Sequence, residues 1–436
     1  MKFKTILPIA VFIVLMSGCK KSNTPDTIHI VKYQADVANA WMQMQIRLTQ
    51  STPGYNSVVS DRSFAYAGIT MYEALVPGIQ GSVSFLPQIG MFAVLINKNR
   101  EQYYWPASVN AAMAMITKSF FENTSPSNMA SIDSLEAAYS NKFQNEAGAE
   151  KIQNAVAFGH EVATSVFAWS KTDGGHQAYK HIVDPTYTPP TGIGLWVPTF
   201  PAFGPPVHPH WGDNRSFISN IATLTQPAAP IPYYESNHSL FYSMVNELYT
   251  ISLSLTHEDS TIAKFWGDQP GNLNVPAHAT NILCQLLVKN SSDLGTATRA
   301  YALNGIAMND ACISVFKTKY QYNQVRPITY IKNVMGHTKW NSVLPTPPHP
   351  ECTAAHAVIS AASAVVLEAF FGKSYAFTDY TYHNTYGART YTSFDNYAQE
   401  AGRSRLLAGI HYSPSISAGL IQGRQVGNMV VKLMVH

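Results

Sequence analysis

Charge is scarce in this chain. Asp, Glu, Lys and Arg together supply 13% of its 436 residues, and the formal net charge is only +3. So even a balance excludes the basic stripe by which proteins grip nucleic acid, and it makes any local cluster of cations informative. Cysteine is scarcer still, with four residues at positions 19, 284, 312 and 352. Once Cys19 is assigned to the N-terminal segment described below, three remain, so no disulfide framework holds the fold. No Gly-rich nucleotide loop follows a strand pattern, and no fixed-period repeat is visible. The histidines also lack the paired helical spacing of catalytic zinc sites. What is abundant is apolar surface: 46% of the residues are hydrophobic, enough for a large core without staples.

The N-terminus reads as an export signal. Lys2 and Lys4 precede an apolar run from Ile6 to Met16, well short of the ~20 residues a membrane-spanning helix needs. Ser17-Gly18-Cys19 closes the run and is similar to a lipoprotein processing site, with Met16 where Leu is commonest. The expectation is a signal peptide over 1–18, lipidation of Cys19, a polar linker over 19–32 and one helical domain over 33–436. That domain is expected in the bacterial cell envelope, periplasmic or at the cell surface, and touching the membrane through the lipid alone. Cleavage as a plain secretory signal is the alternative.

Along the body, apolar residues recur at helical intervals. Helices are predicted over Ala35–Leu48, Ser60–Leu75, Val109–Phe121, Asn128–Phe143 and Gly148–Trp169. Further ones are predicted over Tyr234–Leu253, His257–Trp266, Pro276–Lys289, Gly295–Tyr320, Ala354–Phe371 and Ser413–Met434. The fold class is therefore all-α. Prolines at 185, 189, 190, 198, 201, 205, 206 and 209 interrupt the stretch from His181 to Asp213. Trp196, Phe203 and Trp211 give it apolar weight, so it is expected to be a long ordered loop that wraps the surface or frames a site. Thr378–Phe394 reads as a loop or short hairpin covering a site entrance. Gly419, Gly423 and Gly427, four residues apart, line one helix face and predict close helix packing rather than a phosphate loop.

Three patches hold the chemistry, all in the C-terminal half from about residue 235. Lys319 and Arg326 lie seven apart before Pro327, two helical turns, so both are placed on one side of a helix ending near Pro327. Such a pair alone is more often a solvated helix face. Pro348-His349-Pro350-Glu351-Cys352-Thr353-Ala354-Ala355-His356 follows. Then come Ser404-Arg405 and, six residues after Arg405, His411. A straight helix would set Arg405 and His411 ~120° apart, so convergence requires a bend, which Gly409 permits. Alone, His411 reads as a hydrogen-bonded core histidine.

Taken together, the order Lys-x6-Arg-Pro, His before a small-residue helix, and Ser-Arg-x5-His resembles the three-part motif of the type 2 phosphatidic acid phosphatase and vanadium haloperoxidase superfamily. Asn309-Asp310-Ala311, Thr346-Pro347-Pro348, Gly409-Ile410-His411-Tyr412, Pro209-His210-Trp211-Gly212 and Met71-Tyr72-Glu73-Ala74 are similar to its bacterial haloperoxidase-type branch. The resemblance implies a helical bundle of the haloperoxidase and acid phosphatase type with long Pro-rich loops. It implies that Lys319, Arg326 and Arg405 hold the oxygens of vanadate, or of phosphate in the same place, with the backbone N–H of Ala355 as a further donor. His411 would bond vanadium or attack phosphorus, and His356 would be the acid–base group, with Lys319 beside it. His349 occupies a position that leans toward bromide or iodide, or it is simply a loop histidine between prolines. The implied substrates are hydrogen peroxide and halide, with a phosphate ester and a phosphohistidine as the alternative. A non-catalytic oxyanion-binding lipoprotein is a third reading.

Two departures stand out. Ala354 and Ala355 replace the usual Ser-Gly, removing a hydroxyl hydrogen bond worth about 1.5–3 kcal/mol when its partner is charged. Ser415 stands where many phosphatases carry an Asp, so His411 is expected to lack a carboxylate partner. Cys352 is read as a small replacement for Tyr and not as a nucleophile.

Overall fold

The computed structural model describes residues 33–267 and 271–434, so the signal segment, Cys19 and the linker lie outside the described residues. Helix starts are written in side chains. Asn56, Ser125, Ser239, Asn274, Asp293 and Ser393 each accept a hydrogen bond from the backbone N–H three residues on. Thr256 and Asp259 close a reciprocal capping box. The helices are α1 (Asp36–Ser51), α2 (Ser57–Glu73), α3 (Trp105–Phe120), α4 (Pro126–Gln144), α5 (Ala149–Ser170), α6 (Ile221–Leu224) and α7 (Leu240–Leu253). They continue with α8 (His257–Phe265), α9 (Val275–Lys289), α10 (Leu294–Tyr322), α11 (Pro327–Asn333), α12 (Ala355–Phe371), α13 (Phe394–Leu407) and α14 (Ser413–Val430).

The long helix α10 is the axis. Every residue from Ala300 to Phe316 is buried, so it is enclosed on all faces by α2, α12, α14 and their neighbours. Its Asp310 accepts the backbone N–H groups of Phe217 and Ile218 and so ties a distant loop to the axis. Packing of α14 on α12 uses the glycine row. A Cβ on Gly423 would lie 2.1 Å from the Val358 carbonyl oxygen, a distance no side chain tolerates.

Several expectations need correction. Tyr234 to Ser239 is not helical, because the Ser239 cap starts α7 only at Leu240. Both α11 and α13 escaped the pattern search. The first is seven residues long, and the second is rich in polar residues and buries Gly402, Ser404 and Arg405 along with its apolar ones, so no apolar period marks it. Phe203 is 62% exposed and does not help pack the Pro-rich loop, whereas Trp196 and Trp211 are buried.

That loop is laced onto the segments that carry the patches. Leu195 bridges Gln324, the Trp196 N–H donates to Asn323 O at 2.7 Å, and the Val207 N–H donates to Pro348 O at 3.0 Å. The Thr378–Phe394 stretch contains the antiparallel pair β1 (Phe377–Asp379) and β2 (Arg389–Tyr391). Its polar contacts run to His278 through Asp379 and to Glu400 through Arg389 and Tyr391. Among the described residues no helix is long and apolar enough to cross a membrane.

Candidate active site

Three breaks in helical structure bring the patches together. The first departs from the expected single helix. There α10 stops at Tyr322, Asn323 turns left-handed at φ 45°, and Arg326 is extended at ψ 151° as the residue before α11. Pro327 explains this, since its ring disfavours helical backbone at Arg326. The second is the extended run from Pro347 into α12, with Ala354 at its N-cap. At the third, α13 ends at Leu407, Gly409 takes φ 76° and His411 falls in the link before α14. A side chain there would be strained, so the bend is a glycine's.

Arg326 is the hub and is fully buried. Its Nε donates to His349 O at 2.8 Å and its Nη1 to Ile410 O at 2.9 Å. Nη1 also lies 3.2 Å from Nε2 of His411, and Nη2 lies 3.0 Å from Nδ1 of His349. A guanidinium only donates, so both imidazole nitrogens must be acceptors. Lys319, equally buried, gives its ammonium to Pro350 O at 3.0 Å and Glu351 O at 2.9 Å. Arg405 and His356 meet on one acceptor: Arg405 Nη2 is 2.7 Å and His356 Nε2 2.8 Å from Trp266 O.

The Trp266 ring is itself fixed. Its N–H donates to Glu400 at 3.0 Å, and its face stacks on His278, which is buried against Asp379 at 2.7 Å.

The carboxylate partner of His411 was not foreseen. Glu351, fully buried, places Oε1 at 2.8 Å from Nδ1 of His411 and accepts the Tyr412 N–H at 3.0 Å. The buried Ser415 hydroxyl lies beside this carboxylate and helps, after Lys319, Arg326 and the Tyr412 N–H, to keep it ionised. The carboxylate therefore comes from the loop before α12 and not from α14. The available signal was a lone carboxylate between Pro350 and Cys352 in a charge-poor chain.

Electrostatics follow from burial and crowding. Burial, then Arg326, Lys319, His349 and Arg405, holds the His411 imidazole well below its ordinary range. Burial, then Lys319 and Arg326, does the same to half-buried His349, which also packs against Phe316 at 5.4 Å. Both rings are thus neutral. Burial with the Arg326 charge lowers Lys319, and burial lowers Arg326 to about 10. Glu351 is pushed up to about 7 by burial, with Lys319 and Arg326 pulling the other way. The Cys352 thiol is driven to about 12, chiefly by burial, so it is no nucleophile.

Lys319 and Arg326, two buried cations, thus crowd the carboxylate of Glu351, and the charge of Arg405 weighs on His411 beside them. Burying cations in excess is costly unless an anion joins them, so this donor set suits a tetrahedral oxyanion. Ala354 makes no side-chain cap, while the start of α12 at Ala355 offers first-turn N–H groups and the positive end of a 17-residue helix. Among the described residues no group of three or more His, Cys, Asp or Glu is arranged to hold a metal cation.

Residues 299–436 match the family described as VCPO second helical-bundle domain. No curated protein matches the chain in sequence. Among solved structures, the first bacterial vanadium-dependent iodoperoxidase is similar at 28% identity and TM-score 0.80, covering 92% of this chain and 97% of that one. A holo-type bacterial vanadium-dependent chloroperoxidase is similar at 15% identity and TM-score 0.68, covering 89% and 94%. The apo-type bacterial chloroperoxidase gives 15% identity and TM-score 0.66, covering 89% and 97%.

Proposed function

Because the chain belongs to the vanadium haloperoxidase superfamily, we propose that it is a vanadate-dependent enzyme that oxidises bromide or iodide with hydrogen peroxide. The observation that carries this reading is the buried excess of cations gathered about a neutral His411 whose Nε2 can only accept. Lys319, Arg326 and Arg405 would hold the oxygens of vanadate, and the Ala355 N–H would add a donor. Nε2 of His411 would bond the vanadium. Bound vanadate supplies a Lewis-acidic centre at which peroxide becomes reactive toward halide. His356 shares Trp266 O with Arg405, which would hold its imidazole beside a bound oxyanion as the group that gives or takes a proton there. Half-buried His349, backed by Phe316, offers a neutral polarisable wall for a large halide. The likeness to an iodoperoxidase at 28% identity supports iodide as one of the halides.

One observation favours a second reading. A carboxylate-oriented His411 is also what a phosphohistidine enzyme needs, so phosphate-ester hydrolysis is the alternative.

The test incubates purified protein with orthovanadate. Peroxide-dependent iodide and bromide oxidation is then measured beside hydrolysis of a chromogenic phosphate ester. Halide oxidation that requires vanadate and is lost in His411→Ala is expected. Ester hydrolysis inhibited by vanadate, without halide oxidation, would establish the second reading instead.

A further inference from the structure

We propose that Glu351 is the positioning carboxylate of this site. It fixes the His411 ring in the tautomer that carries its proton on Nδ1, leaving the Nε2 lone pair for a bound oxyanion. The proposal rests on the oxyanion-site reading above, and its central measurement needs no oxyanion.

A neutral imidazole exchanges between two tautomers, and which one prevails is set by what each nitrogen meets. At Nδ1 the partner is Glu351 Oε1 at 2.8 Å, an acceptor. At Nε2 it is Arg326 Nη1 at 3.2 Å, a donor. Both neighbours demand the same tautomer. Glu351 also grips the chain that carries the ring, because the same oxygen accepts the N–H of Tyr412, the next residue, at 3.0 Å.

The carboxylate is itself held by the other patches. Its backbone N–H donates to Gln324 O at 3.0 Å, between Lys319 and Arg326, and its carbonyl accepts the Lys319 ammonium at 2.9 Å. Moving the first patch therefore moves the residue that aims the third. Chemically, a carboxylate behind an imidazole raises its strength as a ligand. That gain matters more in a chain whose Ala354 offers no hydroxyl to the oxyanion.

The experiment uses full-length protein labelled with 15N-histidine, with the His411 signals assigned by comparison with His411→Ala. Nitrogen shifts read the tautomer in the absence of vanadate, and calorimetric titration with orthovanadate reads affinity on the same samples. The wild type is expected to show His411 protonated on Nδ1. In Glu351→Ala the Nδ1–H loses its acceptor while Arg326 still favours that tautomer, so the Nδ1 shift moves toward that of an unbonded N–H and vanadate affinity falls about 10- to 100-fold with the circular dichroism unchanged. Glu351→Gln keeps an acceptor of the same shape without the charge, so it retains the tautomer and binds vanadate more weakly than the wild type. A wild type protonated on Nε2, or an unchanged Nδ1 shift or unchanged affinity in Glu351→Ala, overturns the proposal. If that variant does not fold, undiminished affinity in Glu351→Gln overturns it. A wild type that shows the Nδ1–H tautomer yet binds no orthovanadate refutes the oxyanion reading and leaves the positioning of His411 by Glu351 standing.

Discussion

At the scale of single residues, Ala354 concentrates the question of how tightly this site binds. It is buried at the N-cap of α12 and makes no side-chain hydrogen bond there. Ala354→Ser adds a hydroxyl where the superfamily usually has one, and serine is a favourable N-cap. A hydrogen bond to a charged partner contributes about 1.5–3 kcal/mol, so orthovanadate binding is expected to tighten roughly tenfold or more, measured by calorimetry. Arg326→Lys should act in the opposite sense. A lysine cannot reproduce the planar fork that reaches His349, Ile410 and His411 together, so vanadate affinity should drop at least about tenfold even with the charge kept.

His208 makes a prediction of another kind. Burial lowers its pKa from 6.5 to about 4, and its Nε2 meets Asn56 at 2.8 Å. Between those two values the unfolded chain binds a proton that the folded chain refuses, so stability rises with pH across that window and is lost as pH falls toward 4. The loss amounts to about 3 kcal/mol. Its φ is 52°, a region asparagine tolerates, so His208→Asn should fold. The fall in melting temperature from pH 7 to pH 4.5 is expected to be smaller in that variant than in the wild type.

At the scale of elements, the site is made where helices stop. The long helices were legible, α10 and α12 within a few residues, because each is a long run rich in small and apolar residues with no proline inside it. The patches that flank them were legible as chemistry but not as geometry. Lys319 and Arg326 read as one helix face, yet Asn323 and Pro327 break the helix between them. Glu351 was visible in the second patch, but no periodicity connects an extended loop to a histidine 60 positions on. Trp266 was invisible as a site residue because it contributes a backbone carbonyl. Gly423 tests the packing that holds α12, and therefore His356, in place. Gly423→Val drives a side chain into the Val358 carbonyl, so destabilisation of about 1–3 kcal/mol or more is expected in denaturant unfolding.

At the scale of the molecule, a chain with few charges buries a cluster of them in one place. Lys319, Arg326, Arg405 and Glu351 are all buried, and the Pro-rich loop is bonded to the segments that carry them. Such a cluster is unfavourable in isolation and becomes favourable with its anion, so orthovanadate should raise the melting temperature of the whole protein. We propose in addition that Cys19 tethers this body to the cell envelope. Metabolic labelling with a fatty acid should mark the wild type and not Cys19→Ser.

The most direct test of the central claim is a crystal structure of the protein grown with orthovanadate. The expected result is a tetrahedral or five-coordinate oxyanion bonded to Nε2 of His411, with Lys319, Arg326 and Arg405 on its oxygens. Density for the anion elsewhere, with those four side chains disposed as they are without it, would contradict the account.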